Sequence, residues 1–156
     1  MTTIHMHDTT TVTPEQFLAG LTDFGPGRKE LFGNSADSYL KVLHQGPPHD
    51  ADVTEGSNGI WETLHYDWTD PPHRVVMTTT DSNLWGGHSG HTYTLTPQPT
   101  GGTDVDVVVV RDGKNLKGRF LAGVLGAVGT RVLGKQFRNS VAAIEARSNG
   151  RRGRGA

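Results

Sequence analysis

Apolar and polar residues alternate in short runs between Ser35 and Asp112, and turn-forming residues separate the runs. Alternation with a period of two is typical of strands that bury one face. We predict strands near 36–44, 51–56, 59–68, 73–81, 88–97 and 103–111. Most of the connections are short, which favours an antiparallel meander.

A further strand and two short helices are predicted before this region. Residues 3–12 are rich in β-branched side chains, with Ile4 and Met6 on one face, as in a strand. Thr13 can cap a helix whose first residue is Pro14, and Gln16 stands where the partner in a capping box belongs. A Gly-Pro-Gly break at 25–27 ends this helix, and a second turn is predicted over 28–32.

The pattern changes after Asp112-Gly113, where large apolar residues recur mostly every four positions. This predicts one helix of about 30 residues with an apolar stripe. The stripe consists of Leu116, Phe120, Val124, Val128, Val132, Phe137, Val141 and Ile144. Five glycines interrupt the helix, and each costs about 1 kcal/mol relative to alanine. The helix must therefore be stabilised by packing, and its glycines permit a close approach of another backbone.

Composition limits the classes of protein to consider. A chain of 156 residues suits one domain, and its 33% hydrophobic content can supply a core. The absence of cysteine excludes disulfides, thiolate catalysis and cysteine-based zinc sites. No apolar run reaches the ~18 residues of a membrane span, and no leader is visible, so we expect a cytoplasmic protein.

The net charge of −1 conceals an asymmetry along the chain. Residues 1–70 carry −8, residues 71–146 carry +3, and the segment from Arg147 onward carries +4. We expect one domain over 1–147 and a disordered basic tail over 148–156. Because the chain as a whole is not basic, specific nucleic-acid binding is not expected.

The predicted order is a strand, two short helices, six antiparallel strands and a long helix. A curved sheet wrapped around that helix would cover the apolar faces of both. Together with the segments 13–17 (TPEQF), 59–62 (GIWE), 66–72 (YDWTDPP) and 141–145 (VAAIE), this order resembles the START-like (SRPBCC) superfamily over about residues 2–147. The resemblance is strongest to its bacterial polyketide cyclase/dehydrase branch.

This resemblance implies an α+β helix-grip fold: a curved antiparallel sheet of about seven strands around a long C-terminal helix, with two short helices after the first strand. It also implies an internal cavity for an apolar molecule such as a lipid, sterol, polyketide or plant hormone. Some members of the superfamily cyclise or dehydrate their ligand, and others only carry it. Fold alone does not decide between these activities.

Strand alternation predicts which side chains face the cavity. The favoured inward sets are Ile60, Glu62, Leu64, Tyr66 and Trp68; Val75, Met77 and Thr79; Ser89, His91, Tyr93 and Leu95; and Val105, Val107 and Val109, with Arg111 at the strand end.

Three of these residues are the catalytic candidates: Glu62, His91 and Tyr93. Burial without a partner would raise the pKa of Glu62 and make it a general acid or base. The imidazole or the phenol would then steady an enolate oxygen in an aldol-type cyclisation or dehydration. The alternatives are an exposed Glu62 or one paired with Arg74, a hydrogen-bonded or surface His91, and a purely structural Tyr93.

The predicted ligand-binding residues come from strands, one loop and the helix. They are Leu40, Leu64, Tyr66, Met77, Trp85, Val107, Phe120, Val124 and Leu125. Trp85 lies in the glycine-containing loop 81–88, which predicts either a mobile lid over the cavity or a hairpin turn with the indole folded onto a neighbour.

Neither a metal nor a cofactor is predicted. The pairs His5/His7 and His88/His91 lack a third ligand at a diagnostic spacing, and Gly123, Gly126 and Gly129 lie inside the helix rather than in a phosphate-binding loop. The favoured function is to bind or carry a hydrophobic small molecule, lipid or polyketide-like. The alternatives are a polyketide cyclase/dehydratase and a protein-interaction module without a ligand. The sequence does not determine the oligomeric state.

Overall fold

A computed structural model describes residues 1–46, 49–70 and 72–154. Strand β1 (Thr2–Thr10) is followed by the helices α1 (Pro14–Leu21) and α2 (Arg28–Leu31). Six strands come next: β2 (Lys41–Gly46), β3 (Asp50–Ser57), β4 (Ile60–Asp70), β5 (Arg74–Ser82), β6 (Gly90–Pro97) and β7 (Thr103–Arg111). The chain then forms the long helix α3 (Leu116–Arg154). This order of elements confirms the predicted helix-grip fold.

All seven strands form one antiparallel sheet in the order β1-β7-β6-β5-β4-β3-β2. Each strand from β2 to β7 pairs with its neighbours in the chain, which confirms the predicted meander. The first of these strands begins at Lys41 rather than near residue 36. The reason is local: the N–H of Tyr39 donates to the carbonyl of Ala36, and the N–H of Leu40 donates to that of Asp37, so this segment forms turns.

Local sequence signals explain how α1 begins and how β3 connects to β4. The Thr13 hydroxyl accepts the N–H of Gln16 at 3.3 Å, and the Gln16 side chain accepts the N–H of Thr13 at 2.9 Å. This is the predicted capping box. Asn58 and Gly59 both have positive φ, the backbone that a tight two-residue hairpin requires.

The predicted inward faces of the strands are confirmed. Val75, Met77 and Thr79 of β5 are buried, as are Tyr93 and Leu95 of β6 and the three alternate valines of β7. On β4 the face with Leu64 and Tyr66 points inward, as favoured. With residues of α1 and the second half of α3, these side chains form the main hydrophobic core.

The apolar stripe predicted for α3 is wrong in its first half. Leu116, Phe120, Val124, Val128 and Val132 are exposed, whereas Phe137, Val141 and Ile144 are buried. Val132 and Phe137 are five positions apart, which places them about 140° apart around a helix with 3.6 residues per turn, so the two halves of the predicted stripe lie on different faces. The inward positions are instead spaced by three or four: 118, 122, 125, 129, 133, 137, 141 and 144.

Small residues occupy much of that inward face. A Cβ atom at Gly118 would collide with the carbonyl oxygen of Leu84, and one at Gly129 would lie 2.7 Å from Cδ1 of Ile4. The helix backbone therefore packs directly against β1 and against the loop after β5. The close approach leaves no room there for large side chains, which lie on the outside.

The helix α3 extends to Arg154, beyond the residue near which the tail was predicted to start. Disorder of residues 148–156 is not tested by the structure and stays a prediction, and residues 155–156 lie outside the described part. No helix in the described ranges is long and apolar enough to cross a membrane.

Candidate functional site

A cavity of about 310 Å³ lies between the inner face of the sheet, α3 and the segment around α2. Asn34, Asn58 and Gln136 line it and are themselves exposed, so they mark its mouth. Much of the remaining wall is apolar: Ile60, Leu64, Met77, Trp85, Leu125 and Leu133. The wall is interrupted by two ion pairs and by the side chains of His91 and Tyr93.

The first ion pair joins Glu62 of β4 to Arg111 at the end of β7. Nη1 and Nη2 of Arg111 each donate to a different carboxylate oxygen of Glu62, both at 3.0 Å, and the Thr79 hydroxyl donates to Glu62 at 3.0 Å. Two strands separate β4 from β7 in the sheet, so the pair spans the sheet's inner face. The Arg111 guanidinium also lies 5.1 Å from the centre of the Trp85 ring.

This pairing decides the charge of Glu62, for which the sequence left open an unpaired carboxyl and one paired with an arginine. Burial by itself would raise the pKa of the carboxyl, but the charge of Arg111 and the hydrogen bonds from Arg111 and Thr79 together outweigh it, and the pKa falls below its ordinary value. Glu62 is therefore an ionised acceptor at neutral pH and has no proton to donate. Its partner is Arg111 rather than Arg74, which lies opposite Asp70 and Thr94 in the sheet.

His91 lies beside the same pair, with Nε2 at 3.2 Å from Nη2 of Arg111. Arginine only donates hydrogen bonds, so Nε2 accepts and the ring proton is on Nδ1. Burial, reinforced by the Arg111 charge, lowers the pKa of His91 to about 4, and the ring is neutral at neutral pH. The Nδ1 atom is buried and has no hydrogen-bond partner among the described residues.

Tyr93 faces the cavity from the same strand, two residues further along. Burial raises the pKa of its phenol to about 12, so it keeps its proton at neutral pH. None of the hydrogen bonds between described residues engages this hydroxyl. Its ring packs near Phe17, with the ring centres 6.4 Å apart. The structure thus brings Glu62, His91 and Tyr93 to one cavity, as predicted.

A second ion pair was not predicted from the sequence. Nε of Arg28 donates to Oε1 of Glu55 at 2.6 Å, and both side chains are almost completely enclosed. The hydroxyls of Tyr66 and Ser35 also donate to Glu55. Although burial opposes a charge, the neighbouring Tyr66 and Glu55 raise the pKa of Arg28 above its ordinary value, so it remains a cation.

A sequence signal for Glu55 existed in the strand pattern. It stands two residues after Val53, which stands two residues after Ala51, and both apolar residues are completely buried. Alternation therefore places the carboxylate on the inner face. Arg28 had no such signal, because it follows a glycine-proline break in an irregular segment.

The predicted ligand-binding residues divide into two groups. Five of them line the cavity: Leu64, Tyr66, Met77, Trp85 and Leu125. Four do not, and the placement predicted for them is corrected: Leu40, Val107, Phe120 and Val124.

Each of the four lies elsewhere for a physical reason. Leu40 belongs to the turn before β2 and packs on the edge of the core. Val107 points inward but is completely covered by core neighbours. Phe120 and Val124 are exposed because the inward face of α3 is made by Gly118, Ala122 and Leu125.

Trp85 forms a wall of the cavity. Only 6% of its surface is exposed, and its backbone forms an isolated bridge with Gly113. The Ser82 hydroxyl accepts the N–H groups of Leu84 and Trp85, both at 3.1 Å. These contacts match the alternative of an indole folded onto its neighbours rather than that of a mobile lid. In the described ranges, no group of three or more acidic or histidine side chains is arranged to hold a metal ion.

No protein-family model matches the chain, and no curated protein matches its sequence. Solved structures do match. The protein TTHA0849 from Thermus thermophilus is 13% identical, with a TM-score of 0.70 over 95% of this chain and 97% of that one. A START superfamily protein from Mycobacterium smegmatis is 10% identical, with a TM-score of 0.69 over the same shares.

A third solved structure carries a name that describes an activity. The Zhui aromatase/cyclase from a Streptomyces species is 13% identical, with a TM-score of 0.68 over 96% of this chain and 94% of that chain. At these identities the likeness concerns the fold and not the reaction. The chain has the helix-grip fold of the START-like (SRPBCC) superfamily.

Proposed function

We propose that this protein binds a neutral, largely apolar small molecule that carries at least one oxygen atom. The observation that supports this best is the cavity between the sheet and α3, which is open at one end and lined mostly by apolar side chains. Its volume of about 310 Å³ falls at the lower end of the range of small-molecule sites, roughly 300–1,000 Å³.

The polar groups of the wall favour a neutral ligand over an ionised one. Among the described lining residues, each arginine is already paired with a carboxylate, and His91 is neutral. A charged ligand would have to compete with Glu55 or Glu62 for its partner. The Tyr93 phenol, in contrast, is a donor without an acceptor among the described residues, and a carbonyl or hydroxyl oxygen of the ligand would satisfy it.

The expected affinity is micromolar. Burial of ~200–400 Å² of apolar ligand surface at ~25 cal/mol per Å² contributes ~5–10 kcal/mol. Association entropy offsets a large part of that gain. A polyketide-like or neutral lipid ligand has the required chemistry, and a cytoplasmic location stays a prediction.

The test is a fluorescence titration with the neutral apolar probe N-phenyl-1-naphthylamine. We expect micromolar binding to the wild type and at least tenfold weaker binding to Leu125→Trp, whose indole would fill the cavity. Leu121→Trp is the matched control, because Leu121 lies one turn earlier on α3 and does not line the cavity. Absence of probe binding, or equal binding to all three proteins, would contradict the proposal. Native mass spectrometry of the freshly purified protein would identify any ligand that it retains.

The alternative function is a cyclase or dehydratase, and the observation in its favour is that Glu62, His91 and Tyr93 line one cavity. Against it, Glu62 is held by Arg111 and has a lowered pKa, which makes it a weak base and removes its role as an acid. The two functions separate in a deuterium-exchange experiment on a bound aryl 1,3-diketone. Faster exchange at the carbon between the carbonyls with wild type than with Glu62→Gln would favour the enzyme.

A further inference from the structure

Five apolar side chains form a stripe on the outer side of α3, which we call the outer stripe: Leu116, Phe120, Val124, Val128 and Val132. Leu116 is 84% exposed and Phe120 is 71% exposed. From Leu116 to Val132, the stripe runs along about 24 Å of helix. The other exposed large apolar residues of the described chain are Met1, Val42 and Leu43. Apolar surface of this extent on one helix typically marks an interaction site.

Cations accompany the outer stripe. Lys117, Arg119, Arg131, Lys135 and Arg138 are all exposed, and none of the salt bridges between described residues involves them. The sequence has no acidic residue between 113 and 144. All charged side chains of α3 between Leu116 and Ile144 are therefore positive, although the whole protein has a net charge of −1.

This charge pattern opposes the contact of two copies through the outer stripe. A symmetric contact would bring the cations of one helix against those of the other without an acidic partner, which is unfavourable. The area is also small, because the three valines are each less than half exposed. A stable protein interface takes roughly 800 Å² from each partner, which is more than the exposed surface of these five residues.

We propose that the outer stripe docks on the surface of an anionic membrane, with α3 lying in the plane of the bilayer. An apolar face flanked by lysine and arginine is the pattern of helices that bind at the boundary between headgroups and acyl chains. Each cation near an anionic surface adds to the attraction. Phe120 and Leu116 enter the boundary region, while Arg131 and Lys135 contact lipid phosphates. This docking does not depend on whether the cavity holds a ligand.

The test is co-sedimentation of the full chain with vesicles. We expect binding to vesicles of phosphatidylcholine with 30% phosphatidylglycerol at low salt, and at least tenfold weaker binding in 0.5 M NaCl, where the charges are screened. Pure phosphatidylcholine vesicles should bind at least tenfold more weakly as well. The double variant Leu116→Ser/Phe120→Ser should lower the partition coefficient on anionic vesicles at least tenfold, and Arg131→Gln/Lys135→Gln should lower it severalfold.

The matched control is Val42→Ser/Leu43→Ser, which removes two exposed apolar side chains from strand β2 at the far edge of the sheet. It should bind anionic vesicles like the wild type. All of these residues are exposed, so the variants should keep the far-UV circular dichroism and melting temperature of the wild type. Failure of the wild type to bind anionic vesicles, or an equal loss in the control, would overturn the proposal. So would a micromolar dimer in sedimentation velocity that the Leu116/Phe120 variant abolishes, since a second copy would then cover the stripe.

Discussion

Replacement of Arg28 by alanine should remove more stability than any other single truncation of a polar side chain in the cavity wall. Only 2% of this residue is exposed. Its Nε atom donates to Glu55, and its terminal nitrogens donate to the carbonyls of Leu21 and Asp23 at 3.0 and 2.7 Å. The guanidinium also lies 4.8 Å from the centre of the Phe24 ring.

The magnitude follows from what the truncation leaves behind. Loss of one partner from a buried ion pair typically costs about 3–5 kcal/mol, because the other charge stays buried without compensation. Here that charge is the Glu55 carboxylate, which among the described residues keeps only the hydroxyls of Tyr66 and Ser35 as side-chain donors. For a domain of this size, 1 kcal/mol corresponds to about 2–4 °C in melting temperature. Arg28→Ala should therefore lower Tm by about 6–20 °C.

The assay is equilibrium urea denaturation followed by circular dichroism, with Arg147→Ala as the control. Arg147 pairs with Asp23 at 2.8 Å, but about a third of each side chain is exposed, so its loss should cost less than about 1 kcal/mol. The refuting result is a cost for Arg28→Ala that equals that of Arg147→Ala. The removal of both charges in Arg28→Met/Glu55→Met should recover part of the loss, because no buried charge is then left alone.

Two further predictions concern pH and the packing of α3. Folding lowers the pKa of His91 from 6.5 to about 4, so on acidification the unfolded chain takes up this proton at a higher pH than the folded protein does. The free energy of unfolding should therefore fall by about 3 kcal/mol as the pH drops from 6.5 to 4. Urea titrations across this range should show that the free energy of unfolding depends less steeply on pH for His91→Gln than for the wild type. The same dependence in both proteins would contradict a buried, neutral His91. Gly123→Ala, with open space around the new Cβ, should stabilise by about 0.5–1 kcal/mol, whereas Gly118→Ala should destabilise because its Cβ meets the Leu84 carbonyl. Thermal melts that rank the two glycine variants in the opposite order would contradict this packing.

The strands and their faces were predictable because a period of two leaves little ambiguity. On β4 the choice depended on which of two alternating sets was more apolar, and the set with Leu64 and Tyr66 is the buried one. The position of Glu62 in the cavity followed from that choice. Its ionisation did not, because Arg111 comes from a strand 49 residues away and its approach depends on tertiary structure.

The orientation of α3 was not predictable from hydrophobicity alone. Large apolar residues usually mark the buried face of a helix, and this assumption assigned Phe120 and Val124 to the cavity. In this helix the glycines at 118 and 129 allow the backbone itself to pack against β1 and the loop after β5. Arg28 was missed for a related reason, since irregular segments have no periodicity that indicates burial.

Helix α3 carries two apolar surfaces whose roles can be tested separately. Leu125, which lines the cavity, directly follows Val124 of the outer stripe, and Leu133 directly follows Val132. Successive side chains on a helix point about 100° apart, so the two sets share a backbone but no side chain. Leu125→Trp should therefore weaken binding of the neutral probe at least tenfold and leave vesicle binding unchanged. Phe120→Ser should weaken vesicle binding and leave binding of the neutral probe unchanged. A variant on either surface that impaired both vesicle binding and probe binding would mean that docking and ligand binding are coupled through the helix.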